Sequence, residues 1–436
     1  MAGLSRSVLL SARLFFNIPL NKEDGMKASE VADGIFRLSA NIGSDMLFEG
    51  IWPLPHGASM NSYLVKGRDV AIIDGVGAWD GVPETLYAQF AQVGVKVEDI
   101  RYVVINHTEP DHTGWLRSFA AMTRDFEVLI TAKGLELAKA FYPLDVPYRV
   151  VKSGDSVDLG DGKQLVFEET PNVHWPDTMV TLEPTTGCLF CCDAFGTFGA
   201  VDESSYDDQL DASQLAFYER EALRYYANIV GRFSMAVNKA IAKVRNLDVR
   251  IIAPGHGPVW RQDPERVIRL YERLAAYAKG PAKPLVTVLW GSMYGNTEKI
   301  VTPLLEGIAD EGVESVVYQV PQSHIGDILA SAWESTGIAL AMPTYEFQMF
   351  PPMAAILDEL GRKQVKGKLA LRTGSFGWSG GAQRELDEIV ARQKMGWNFL
   401  EPVEFRGAPG AEDLKLIRQR GGELARQVRE TALADV

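Results

Sequence analysis

VVINHTEPDHTGWL, residues 103–116, places His107, Glu109, Asp111 and His112 within six positions directly after an apolar run. Val103–Ile105 suits a buried strand and Gly114 permits a tight exit into a helix, so the four side chains fall on a strand-to-helix loop. A lone His-x-Glu is most often a turn or cap. Four ligand-type side chains crowded onto one loop point to a metal. The chain has only 6 histidines, and two more follow apolar strands: His174 in TPNVHWPDTM and His256 in IIAPGHGPVW. Asp193, in CLFCCDAFG, ends a third such strand. Loops on one rim of a sheet sandwich converge from distant sequence positions, so these residues offer four imidazoles and three carboxylates to one place.

The rest of the chain bounds what such a centre serves. At 436 residues, 46% hydrophobic and 23% charged, it has ordinary globular composition and is too long for one compact core; two or three domains are expected. A formal net charge of -13 repels nucleic acid and anionic membranes, which leaves small molecules and proteins as partners. The three cysteines, Cys188, Cys191 and Cys192, crowd into one short stretch. They cannot staple a fold, and they suit a reducing, cytoplasmic compartment. A zinc ribbon or iron–sulfur cluster needs more cysteines than these, so they read as buried strand residues or a redox-active pair. SRSVLLSARLFFNIPL carries arginines and no acid before Glu23, in the manner of a transit or signal segment. Arg13 interrupts its apolar run, and it is too short to span a bilayer. It reads as an N-terminal extension over residues 1–29, with a second plausible start at Met26. His56 and His324 have no ligand-type neighbours and read as structural or surface residues.

AYAKGPAKPLV, residues 276–286, separates two differently patterned halves and reads as the linker. Residues 30–280 alternate short strands with helices expected at about 82–94, 134–140 and 213–244. Residues 281–436 read LVTVLWG, SVVYQV, GIALAMP, KLALRTG and PVEFRG, each followed by a helix. Five buried strands alternating with helices predict a doubly wound parallel sheet. Three loops at strand ends of this half are rich in hydroxyls, glycine and aromatics: Ser292, Met293, Tyr294, Gly295, Asn296 and Thr297; then Pro343, Thr344, Tyr345, Glu346 and Phe347; then Ser375, Phe376, Gly377, Trp378, Ser379 and Gly380. The first matches neither GxGxxG nor a Walker A loop, yet hydroxyls and amides at a helix start cradle a phosphate without lysine.

The first half, with His-x-Glu-x-Asp-His followed by single His, Asp and His residues, resembles the metallo-β-lactamase αβ/βα sandwich. Hydrolytic members of that fold carry a histidine where this chain has Glu109, and the extra carboxylate favours iron over zinc. Asp193, with two oxygens, is the natural bridge between two ions. The second half resembles flavodoxin, whose three loops bind FMN. Together HTEPDHTG, HWPD, DAFG, PGHGP, SMYGNT, PTY and SFGWSGGA, in this order over about residues 30–430, resemble the flavodiiron proteins, or A-type flavoproteins. The resemblance implies two irons and one FMN. It implies reduction of dioxygen to water, nitric oxide to nitrous oxide, or both, with Glu109 and Asp193 at the reacting centre. It places His107, Glu109 and His174 on one iron, Asp111, His112 and His256 on the other, and Asp193 between them. It also implies a separate electron donor such as rubredoxin or a reductase, and a head-to-tail homodimer or a tetramer of such dimers. The chain departs from the family in LFEGIWPLPHGASMNSYL, where Glu49 and Trp52 lie near positions at which many members have histidine and tyrosine. Two other classes fit the residues: a diiron oxygen sensor, and a zinc hydrolase that leaves Glu109 without a reason.

Overall fold

The computed structural model describes residues 26–79 and 81–432. Up to residue 25, the extension expected over residues 1–29 lies outside the described residues. A seven-stranded sheet runs in the order Ser29–Ala32, Ile35–Ile42, Ala58–Lys66, Val70–Ile73, Ile100–Ile105, Glu127–Ile130 and Tyr148–Val150. Its first four strands pair antiparallel and its last four in parallel. A second sheet runs Ser156–Gly160, Lys163–Glu169, Met179–Glu183, Cys188–Cys192 and Ile251–Pro254, with only the last pair parallel.

Period-two alternation decides how these sheets pack. Tyr63, Val65, Ile73 and Val104 from the first meet Leu165, Phe167, Phe190 and Ala253 from the second in a closed apolar layer. Leu64, Ile72 and Val103, with Leu182, Leu189 and Ile252, point outward beneath helices. Parallel strands Cys188–Cys192 and Ile251–Pro254 end on the same rim. Lys163–Glu169 runs in the same direction, because two antiparallel steps separate it from Cys188–Cys192. The loops carrying His174, Asp193 and His256 therefore leave from one end of one sheet.

The third sheet is wholly parallel, in the order Glu314–Gln319, Lys283–Trp290, Ser335–Ala341, Leu369–Phe376, with two short strands sharing the last edge. The sequence predicts five strands here and the structure has six. Asn398–Phe399 and Val403–Arg406 pair with successive parts of Leu369–Phe376, and Pro402 between them has no amide to donate to the ladder. The helix predicted over 213–244 is also interrupted: Ala212–Tyr225, a π-helical turn Tyr226–Val230, a short Gly231–Phe233 turn, then Ser234–Val244. Asp211 caps its start, accepting from Ser213 N and Gln214 N at 2.8 and 2.9 Å.

The third sheet is joined to the sandwich by side chains as well as by the linker. Helix Ile325–Glu334 is buried along most of its length. Its Trp333 Nε1 donates to Leu274 O at 2.9 Å, and its Asp327 Oδ1 meets Arg224 Nε at 2.9 Å. One apolar cluster runs from Leu64 and Leu189 through Tyr226 and Trp333 to Leu340. Among the described residues no helix is long and apolar enough to cross a membrane.

Candidate metal centre and its flanking loops

Each oxygen of Asp193 faces two imidazoles. Oδ2 lies 3.3 Å from His107 Nε2 and 3.2 Å from His174 Nε2. Oδ1 lies 3.0 Å from His112 Nε2 and 3.2 Å from His256 Nε2. Glu109 Oε2 completes the first group at 3.1 Å from His107 and 2.9 Å from His174. Asp111 Oδ2 completes the second at 3.5 Å from His112 and 3.4 Å from His256. The seven residues named from the sequence thus form two trios about one shared carboxylate. All are buried but Glu109 and Asp111, whose side chains keep 13% and 10% of their exposure and so mark the open side.

These spacings fit a pair of ions. Ligand atoms about 2.1 Å from one metal sit roughly 3–3.5 Å apart, and the donor atoms here stand at that separation. The electrostatics agree. Burial alone would raise the Glu109 carboxyl, but His107 and His174 outweigh it and hold Glu109 down at about 2. Burial opposes charge on the imidazoles too, yet Asp193 and Glu109 lift His174 to about 9, and Asp111 and Asp193 lift His256 to about 10. Three carboxylates sealed together call for positive charge, and without a cation only the imidazoles can supply it.

A further layer aims the donors. His256 Nδ1 donates to Ser59 O at 2.7 Å, which leaves Nε2 to point inward. His107 Nδ1 faces Asp177 Oδ1 at 3.4 Å, and Asp177 Oδ2 is fixed by Thr108 N and Oγ1 at 2.8 and 2.7 Å. Asn106 binds Asp74 twice, through N at 2.8 Å and Nδ2 at 2.9 Å, anchoring the loop that carries His107. Phe48 and Tyr225 pack against the His256 ring, with centroids at 5.3 and 5.5 Å. A cavity of about 400 Å³, lined by Trp79, Pro110, Asp111, Arg117 and Tyr142 among others, reaches the centre at Asp111. Glu49 accepts from Trp52 Nε1 at 2.8 Å. Burial and the charge of Glu109 raise the Glu49 carboxyl, and Lys363 lies 4.8 Å from the Trp52 ring centroid.

In the third sheet the predicted loops meet at the strand ends. Gly295 N donates to Ser292 Oγ at 2.9 Å, curling the first loop, and Thr297 Oγ1 lies 3.4 Å from Ser375 Oγ of the third. Glu346 and Phe347, both with positive φ, form the two-residue turn between Thr344–Tyr345 and Gln348–Met349. A Cβ on Gly381 would lie 2.0 Å from Phe347 O, so only glycine lets the second and third loops close. Tyr294 is 90% and Trp378 74% exposed, while Thr344 Oγ1 and Thr373 Oγ1 are buried without partners. Free hydroxyls beside uncovered aromatics suit a planar, polar-edged ligand.

The family described as ODP family beta lactamase matches residues 58–257. The chain is 32% identical to the nitric oxide reductase of Moorella thermoacetica over 91% of its own length and 98% of that protein. It is 34% identical to the anaerobic nitric oxide reductase flavorubredoxin of Escherichia coli K12 over 85% of its length and 76% of that protein. The chain belongs to the flavodiiron family. Solved structures agree: the flavodiiron protein from Giardia intestinalis superposes with a TM-score of 0.87 at 26% identity, covering 94% of this chain and 98% of that one. Rubredoxin oxygen:oxidoreductase from Desulfovibrio gigas gives 0.85 at 26% identity, covering 93% and 99%. In this flavodiiron chain the cysteines of Cys188–Cys192 are free and buried. Sequence reasoning passed over Asp74, Asn106, Asp177 and Ser59. Only Asp177 carried a signal, as the last residue of HWPD, directly downstream of His174.

Proposed function

We propose that this flavodiiron chain is an oxidoreductase that reduces nitric oxide to nitrous oxide, dioxygen to water, or both, using two irons and FMN. The observation that carries the reading is Asp193, each of whose oxygens faces its own pair of imidazoles. In this reading His107, Glu109 and His174 hold one iron, Asp111, His112 and His256 hold the other, and Asp193 bridges. FMN binds across Ser292–Thr297, Pro343–Phe347 and Ser375–Gly380. When bound, the iron pair supplies a site where two electrons reach the gas together, and FMN supplies the electrons.

The residues of the chain do the rest. Glu109 adds a carboxylate where a zinc hydrolase has imidazole, which suits a harder, oxygen-rich donor set. Asp177 and Ser59 O keep His107 and His256 turned inward. Phe48 and Tyr225 shield His256 from water. Joining two molecules of nitric oxide consumes two electrons and two protons and yields nitrous oxide and water, so a proton carrier is needed beside the donors. The Glu49 carboxyl, raised by burial and by Glu109, lies outside the donor set and is the group we assign to that role.

Electrons come from a separate protein of the rubredoxin or reductase type. The chain works as a head-to-tail homodimer or a tetramer of dimers, with the exposed Tyr294, Phe347 and Trp378 of one copy set against the exposed Leu47 and Ile51 of another. Free, buried cysteines fit a cytoplasmic location. The decisive experiment reduces the purified protein anaerobically and follows dioxygen and nitric oxide side by side. Sustained consumption with two irons and one FMN per chain is expected. A stall after one equivalent would mark a sensor, and zinc as the sole metal would end the iron reading.

A further inference from the structure

The last strand of the third sheet passes beneath the loop Ser375–Gly381. Arg406 Nε donates to Gly377 O at 3.0 Å, and Gly407 N donates to Phe376 O at 2.8 Å. On the same strand, both Glu404 carboxylate oxygens lie 3.7 Å from where a Cβ on Gly380 would sit. Glu404 is in turn ion-paired with Arg372. The Arg372 side chain is 0% exposed, and its Nε and Nη2 have no hydrogen-bond partner. Its register partner Leu340 and, two positions before it on the same face of its own strand, Ala370 are buried and apolar.

Sealing a guanidinium among apolar neighbours is unfavourable unless it is fully paired, and an apolar residue of similar size would be cheaper. One carboxylate, itself 33% exposed, satisfies only one edge of the fork. Packing therefore gives no reason for the charge, whereas the loop it underlies does. We infer that Arg372 and Glu404 are positioning residues for FMN: their ion pair props the Ser375–Gly380 loop and sets the electrostatic field felt by the flavin. The inference rests on the FMN reading above. Reduction adds negative charge to the flavin, so an uncompensated cation beneath it favours the reduced form and an uncompensated carboxylate disfavours it.

The test uses the full chain carrying Glu404→Gln, Arg372→Met or Arg372→Lys. Binding of FMN to flavin-stripped protein is followed by fluorescence quenching, and the midpoint potential of bound FMN by dye equilibration. Glu404→Gln and Arg372→Met should each weaken FMN binding by roughly tenfold, equivalent to about 1.4 kcal/mol. Their potentials should move in opposite directions, upward in Glu404→Gln and downward in Arg372→Met, a split that loosened packing does not produce. Arg372→Lys should keep the potential and lose affinity. Unchanged potentials in variants that bind FMN would overturn the inference. Failure of the unmodified chain to bind FMN would overturn the flavin reading instead. Should Arg372→Met not fold, the upward shift in Glu404→Gln, whose side chain is partly exposed, decides alone.

Discussion

His107 turns Nε2 toward Asp193 while its other ring nitrogen faces Asp177. Asp177→Asn removes the negative charge behind the imidazole but leaves an oxygen for the Thr108 contacts. We expect metal affinity to fall by about 10–100-fold with the fold intact, measured by competition with a coloured chelator. Lys368 poses a different question, since its Nζ is sealed and donates to Trp333 O at 3.1 Å and Ser335 O at 2.5 Å. Burial pulls its pKa down to about 7, against about 10.4 in an unfolded chain. Between these values the unfolded chain binds the extra proton, so stability from this group rises as pH climbs from 7 toward 10. Its buried charge costs most below pH 7. Unfolding free energies from denaturant titrations across that range should rise by on the order of a few kcal/mol in the parent, a rise lost in Lys368→Met. The donors themselves were legible because apolar strands run straight into histidine and aspartate. Ser59 was not, because it meets His256 only through the fold, 197 positions away in sequence.

The π-helical turn Tyr226–Val230 lets neighbouring tyrosines serve different halves of the molecule. Tyr225 packs on His256 at 5.5 Å, and Tyr226 packs on Trp333 at 5.8 Å. A continuous helix is what periodicity predicts over 213–244, because the extra residue of a π-turn slips the apolar stripe by a single position without ending it. The adjoining contact is equally tight: a Cβ on Gly326 would lie 2.8 Å from Asn228 Nδ2 and 3.7 Å from Arg224 Nε. Gly326→Ala should therefore push helix Ile325–Glu334 outward and destabilise the chain by about 1–3 kcal/mol, read as a lower denaturant midpoint. A midpoint equal to that of the parent would mean the helix has room to shift. The strand-helix alternation of the second half was plain in the sequence, whereas the split of its last strand around Pro402 was hidden within one short run, EPVEF.

At the scale of the molecule, the apolar cluster that crosses from Leu189 to Leu340 joins parts that the linker appeared to separate. Composition marks the Gly-Pro junction clearly. It does not reveal that helix Ile325–Glu334 is buried on several faces between the third sheet and the sandwich. We expect near-ultraviolet circular dichroism and flavin release to follow one coincident thermal transition. Two separated transitions would show that the crossing cluster does not couple the halves. Asp193→Asn should lose metal while retaining FMN, because among the described residues no hydrogen bond or ion pair joins the Asp193 group to the three loops; metal and flavin stoichiometry after gel filtration checks this.

All three cysteines lie on the single strand that delivers Asp193, each buried and each held well above the ordinary thiol pKa, first of all by burial. In the closed fold none can react with an alkylating reagent. The chain thus carries its own clock, since each modification counts an opening of that one strand. Metal held by Asp193 and its neighbours favours the closed form by mass action. Iron loading should therefore slow the clock, and mass spectrometry of the alkylated chain can time how firmly the centre is held without any turnover.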